Sequence, residues 1–179
     1  LDEVRAELAA QLRRVEAAGI HPTHADSHQH MHVLPHIIDI VLDLCRAAKI
    51  PAMRAPRAPL FAGNFGGIGQ LIGRTGLAVL AHRAATKARR RGIRTPDHFA
   101  GIVAGEAVDT AALTHIAAHL AGGVTEVMLH PGTDSDILVR ACRWQHDFEA
   151  ELAAACAPEV CTALAAGGAA VVNFQALTQ

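Results

Sequence analysis

The sequence predicts an α/β fold: a mainly parallel sheet, open or closed into part of a barrel, with helices covering it. Three observations predict it. Helix-like segments alternate with short extended or apolar runs along nearly the whole chain, and such alternation implies parallel strands joined by crossover helices. The 179 residues are 51% hydrophobic, enough for one sizeable core in a single domain over 1–179. Two of the extended runs lead into histidines, and parallel α/β folds place their chemistry at the C-terminal ends of strands.

Val4, Leu8, Leu12 and Val15 recur at helical spacing with charges between them, so a helix is expected over 2–18, ended near Gly19. His21 to Asp26 reads as a short strand leading into a loop. Pro35 can start the next helix, 36–48, with Ile37, Ile38, Val41 and Leu44 as its buried stripe. PAMRA, 51–55, fits a second short strand. Three Pro or Gly clusters over 56–76 predict a loop or broken helix, and Leu77 to Arg91 a helix ending in the basic run KARRR. A strand is expected over 98–103, then a helix over 110–120 capped by Asp109 and stopped by Gly122 and Gly123. VTEVML, 124–129, is the clearest strand. Residues 139–156 read as one helix, followed by a short helix after Pro158 and a last strand over 169–174.

Formal net charge is −1, so nothing global argues for a nucleic-acid partner. Cys45, Cys142, Cys156 and Cys161 show no C-x-x-C spacing and sit among Ala and Leu, which suggests buried thiols. No uninterrupted apolar run is long enough for a membrane-spanning helix. The opening LDEVRAEL is already in helical rhythm and lacks Met, so the chain is read as a piece of a longer protein, with any upstream targeting signal left open.

THADSHQHMH, 23–32, brings Asp26 together with His24, His28, His30 and His32. On an extended chain these five even-numbered residues would share one face. Convergent imidazoles and a carboxylate are what a divalent metal needs. Five ligands on one straight strand spread too far for one ion, so one or two are expected to bind while the rest contact ligands or substrate. For any one histidine alone, a solvated or hydrogen-bonded turn is the alternative. The His-x-His spacing also resembles that of metal-dependent amidohydrolases.

EVMLHPG, 126–132, is the second candidate. Glu126 and Met128 share a face with His130, which stands at a strand end before a Pro-Gly turn. An imidazole there can serve as general acid or base, or can simply cap the strand.

Together, PTHADSHQHMHVLP and EVMLHPG resemble the YdjC-like family of carbohydrate deacetylases, whose pattern reads T-H-x-D-S-H-x-H-x-H-x-x-P and then E-[VI]-x-x-H-P. AMRAPRAPL, RRRGIRTPDHFAGI and GGVTEVMLHPG look closest to the hopanoid-associated HpnK branch. The resemblance implies a partial (β/α) barrel-like deacetylase fold lacking its first strands. It also implies a divalent metal ion, Mg²⁺ or Zn²⁺, and hydrolysis of the N-acetyl group of an N-acetylglucosamine-type sugar, lipid-linked if the hopanoid branch holds. It makes His28 a metal ligand. The family's other ligands are an aspartate of an N-A-D-D-F-G element and a histidine of a G-x-H element. Both are expected upstream of Leu1, so the piece alone is expected to be inactive.

Within that implied chemistry, His130 is the candidate acid for the departing amine, and Asp26 a carboxylate that orients a histidine. Arg54 could hold a sugar hydroxyl or the oxyanion, or form a surface ion pair. His24, His30 and His32 are expected to line the substrate pocket. Residues 59–94 pass from apolar to basic, as a peripheral membrane contact would; a lid loop and an ordinary basic helix end is the alternative. A cytoplasmic protein, with or without membrane contact, and a homodimer are further expectations. The competing readings are another His-x-His metallohydrolase and a non-catalytic remnant.

Overall fold

In a computed structural model of the chain, the structure describes residues 1–57, 68–102 and 107–178, the side chains of 68–72 and 74 excepted. The chain divides into two compact units. One comprises Leu1–Arg57, Thr75–Asp97 and Val172–Gln179; the other Ala58–Arg74 and His98–Val171.

The first unit opens with α1 (Asp2–Ala17). Of its apolar stripe, Leu8, Leu12 and Val15 are half-buried while Val4 stays exposed. β1 (His24–Ala25) pairs in parallel with β2 (Ala52–Met53), His24 opposite Ala52 and Ala25 opposite Met53. A parallel bridge from Ala52 to Arg94 extends this edge. Between the strands runs α2 (Ile37–Ala47), which buries Ile38, Ile40, Leu42 and Cys45. The expected stripe is displaced: Ile37, Val41 and Leu44 are only half-buried. α3 (Ile68–Arg90) starts inside the region read as a loop; the rest of that region, 58–67, lies outside the described residues. Ala84 and Ala88 of α3 meet Val33, Ile38, Leu42, Ile50, Met53 and Ile93 in the core. Asp39 of α2 receives Lys87 at 2.7 Å and Arg91 at 2.9 Å.

In the second unit β3 (His98–Ala100) pairs in parallel with β4 (Thr125–Val127). Gly101 follows β3 at φ +94°, and a Cβ there would lie 2.1 Å from the carbonyl oxygen of Met128. Only glycine meets both demands. α4 (Thr110–Ala118) is capped as expected, the Asp109 carboxylate accepting from the Ala112 amide at 2.8 Å. The single helix expected over 139–156 is instead two, α5 (Ser135–Cys142) and α6 (Phe148–Ala155). Arg143 turns left-handed at φ 52°, which ends α5, and the Asp147 carboxylate then caps α6 through the Ala150 amide at 2.9 Å. α7 (Pro158–Ala166) carries Pro158 in its first turn, where a missing N–H costs nothing. Val108, Leu113, Ala117, Ala154, Ala157 and Val160 form this unit's core.

Three further expectations are corrected. The described strands form two two-stranded parallel sheets rather than one sheet. Residues 169–173 are not a strand, and a 3-10 turn over Phe174–Thr178 follows them. Of the four thiols only Cys45 is buried; Cys142 and Cys161 are exposed on short helices, and Cys156 is exposed at the C-cap of α6. Burial pushes the Cys45 thiol up to about 11.

Candidate active site

The histidine motif contains β1 and runs past its C-terminal end, but extension does not persist through it. A 3-10 segment, His28–Val33, follows, and Gln29 and His30 both adopt left-handed backbone, φ 51° and 58°. The common face expected of the five even-numbered residues is therefore broken. His28 is exposed, whereas His30 and His32 are buried. The turn also separates His28 from His30, so they are not the neighbouring strand ligands that an amidohydrolase-type His-x-His pair requires.

His32 is held at both ends. Its Nε2 lies 3.0 Å from the Arg54 carbonyl oxygen and its Nδ1 2.8 Å from Ser27 Oγ. A tautomer protonated on Nε2 satisfies both, with Nε2–H donating to the carbonyl and the Ser27 hydroxyl donating to Nδ1. Ser27 Oγ also accepts the His32 backbone amide at 2.9 Å, closing the turn on itself. Burial holds the His32 imidazole below its ordinary range, because a charged ring would lose its hydration. The same cause lowers His24. The His24 ring stacks on Phe174 with centroids 3.7 Å apart and sits 3.3 Å from Thr23 Oγ1 through Nδ1. Asp26 and Arg54 meet at 2.8 Å, the guanidinium mostly covered and the carboxylate about half in solvent. The pair ties the end of β1 to the residue following β2.

His130 lies just beyond β4. Its ring is partly exposed and lies perpendicular to Trp144 with centroids 4.9 Å apart. Its backbone is fixed from α6: the Glu151 Oε2 carboxylate oxygen accepts the His130 amide. Oε1 of the same side chain accepts the Val108 amide at 3.0 Å. His130 Nδ1 stands 3.8 Å from Oε2, and His146 Nε2 3.0 Å from Oε1. Glu151 is 1% exposed. The Pro-Gly turn after His130 packs directly on α6: a Cβ at Gly132 would lie 3.0 Å from Phe148 Cβ and 2.3 Å from Leu138 Cδ1.

The structure thus assembles two histidine sites, one in each unit. Glu151, His146 and Trp144 were not singled out in the sequence. One signal was available: Phe148, Glu151 and Ala154 recur every third residue, so a carboxylate occupies a stripe that is otherwise apolar. Among the described residues, His130, His146 and Glu151 are the group of three ligating side chains close enough to share a metal ion, their ligand atoms all within 4.8 Å of one another. His28 belongs to no such group among the described residues; it offers an exposed imidazole at a strand end, suited to be one ligand of a set.

Short parallel strands joined by helices define an α/β protein, with histidines placed just past two of the strand ends. The solved structure of a candidate cellobiose-phosphate cleavage protein from Enterococcus faecalis V583 has the same fold. It matches 98% of this chain and 60% of its own, with a TM-score of 0.67 and 21% identity. The chain belongs to the YdjC-like protein family, whose model matches residues 1–166. It is 34% identical over 148 residues to a human carbohydrate deacetylase, covering 75% of this chain and 45% of that protein. A Brevibacillus brevis carbohydrate deacetylase is 48% identical over 50 residues, 28% of this chain and 20% of the relative. One from Xenopus laevis is 42% identical over 57 residues, 31% and 18%. The chain thus matches less than half the length of these relatives.

Proposed function

We propose that the chain contributes to a hydrolase that removes the acetyl group from an N-acetylglucosamine-type sugar with the help of a divalent metal ion, Mg²⁺ or Zn²⁺. The observation that carries the reading is the placement of the two family motifs: D-S-H directly after β1 and H-P-G two residues past β4, in a chain that belongs to a family with carbohydrate deacetylases among its relatives. His28, exposed beside the end of β1, is the proposed metal ligand, completed by the aspartate and histidine that the family resemblance implies. When bound, the ion supplies a polarised amide carbonyl and a more acidic water.

The chain's own residues do the rest. Arg54 neutralises Asp26 and keeps that carboxylate fixed next to the histidine turn. Ser27 and the Arg54 carbonyl lock His32, which holds the turn that presents His28. This makes His32 a positioning residue more than a sugar contact. His24, stacked on Phe174, and His30 are the proposed pocket lining. His130 delivers a proton to the departing amine, its backbone pinned by Glu151.

A glycolipid substrate remains within this proposal. The basic end of α3 supports a membrane contact only weakly, since Lys87 and Arg91 are already paired with Asp39. Among the described residues no helix is long and apolar enough to cross a membrane.

The test is steady-state deacetylation of N-acetylglucosaminyl oligosaccharides by the intact protein, followed as acetate released. His28→Ala should lose tight binding of the ion together with turnover. His130→Ala should retain it and lose kcat by roughly 10²–10⁴-fold, the usual worth of a general acid, with a flattened alkaline limb in the pH–rate profile. A His130→Ala enzyme with unchanged kcat, or a His28→Ala enzyme with unchanged metal content, would overturn the assigned roles.

A further inference from the structure

We propose that His130, His146 and Glu151 form a binding site for a borderline transition-metal cation, Zn²⁺ above all, whose binding would take His130 out of the acid role given to it above. The argument begins with His146. Its side chain is 3% exposed. Among the described residues, neither of its ring nitrogens has a hydrogen-bond partner. A buried imidazole left without partners is costly, because it has given up its hydration for nothing. Nε2 lies only 3.0 Å from Glu151 Oε1, yet off the line that a hydrogen bond requires. Two ligand atoms standing side by side at that distance, rather than pointing at one another, is the arrangement that a shared cation produces.

The donor set is complete enough to hold an ion. Each Glu151 oxygen accepts one backbone amide, from Val108 and from His130. A carboxylate has about four lone-pair sites, so each oxygen keeps one for a metal. His130 Nδ1 closes the third corner, 3.8 Å from Oε2. Tetrahedral zinc with bonds of about 2.0–2.2 Å separates its ligand atoms by roughly 3.3–3.5 Å. The ligand atoms here lie within 4.8 Å of one another, so binding requires them to draw together, and His130 is the most exposed of the three. Two imidazoles and one carboxylate is a zinc-type set, whereas Mg²⁺ prefers oxygen ligands. The two amides and the Trp144 and Phe148 rings already hold Glu151 and His146 in place, so little ordering remains to be done on binding.

The site carries its own reporter. The chain has one tryptophan, and Trp144 stacks on His146 with centroids 4.0 Å apart. The metal-free full chain is titrated with Ni²⁺, an open-shell ion that quenches a nearby indole, and then with Zn²⁺ as competitor. Saturable quenching that Zn²⁺ reverses and Mg²⁺ does not is the expected result. His146→Gln and His130→Gln should each weaken the apparent affinity at least about tenfold, as loss of a ligand does, while His28→Ala leaves the curve unchanged. His130 is partly exposed, so His130→Gln carries the test if His146→Gln fails to fold. Absence of saturable quenching would overturn the proposal, as would a curve insensitive to His130→Gln, or one abolished by His28→Ala.

Discussion

Replacing Glu151 by alanine perturbs the second unit at the point where its loops converge. The carboxylate is 1% exposed and accepts the amides of Val108 and His130. Val108 is itself fully buried. Without the carboxylate both donors lose their acceptor, and each unsatisfied buried donor costs about 1–3 kcal/mol. The sum is about 2–6 kcal/mol, set against a total stability of about 5–15 kcal/mol for a typical domain. Glu151→Gln keeps one acceptor oxygen and replaces the other with an NH₂ group, so one amide loses its partner, at about 1–3 kcal/mol. Urea unfolding followed by Trp144 emission measures both variants, because that ring reports on the same unit. The expected order is wild type, then Gln, then Ala. An alanine variant within about 0.5 kcal/mol of wild type, the range of ordinary surface changes, would show that the two amides do not depend on Glu151.

Gly132→Ala should lower Tm. The Leu138 tip can rotate away from a new Cβ, but Phe148 Cβ at 3.0 Å cannot, a strain of about 1–3 kcal/mol that a thermal scan would reveal. The folded-state value of His32 is lowered by burial, so between that value and about 6.5 the unfolded chain binds more protons. Its contribution to stability is full above about pH 6.5 and is lost as pH falls below it. Urea midpoints measured across that window should decline less steeply in His32→Gln than in wild type. The Lys87 hydrogen bond, with Arg91 nearby, holds the Asp39 carboxyl below its usual range. Asp39→Asn should therefore destabilise at neutral pH, and its deficit should vanish as pH falls from about 4 through the lowered value; a deficit independent of pH would rule out the ion pair as its source.

Much of the helical framework was legible because helix signals are local. Asp109, Gly19 and Pro158 mark helix ends by capping or by backbone geometry, and the apolar spacing of 2–18 needs no tertiary context. The strands were harder. β1 and β2 have two residues each, too short for a period to be read, and only the chain's alternation located them. The break between α5 and α6 was missed because Arg143 carries no sign of its left-handed backbone, whereas Asp147, three residues before Ala150, did offer a cap. In the candidate sites the histidine motif was visible as composition but misread as geometry. Alternation places side chains on one face only while the chain stays extended, and Gln29 and His30 abandon extension. Glu151 and His146 escaped notice for a different reason. Their significance lies in contacts with Val108 and His130, 43 and 21 residues from Glu151, and no local pattern encodes a partner that distant.

That reach has a kinetic consequence. The amide of Val108 precedes α4, and the amide of His130 follows β4, yet both are guarded by one carboxylate on α6. Each amide is released when its bond to Glu151 breaks, and withdrawal of α6 breaks both bonds at once. The two amides should therefore share one protection factor and one response to denaturant, as members of a single cooperative opening unit do. The loop bearing His130 would then open no more often than the helix that anchors it.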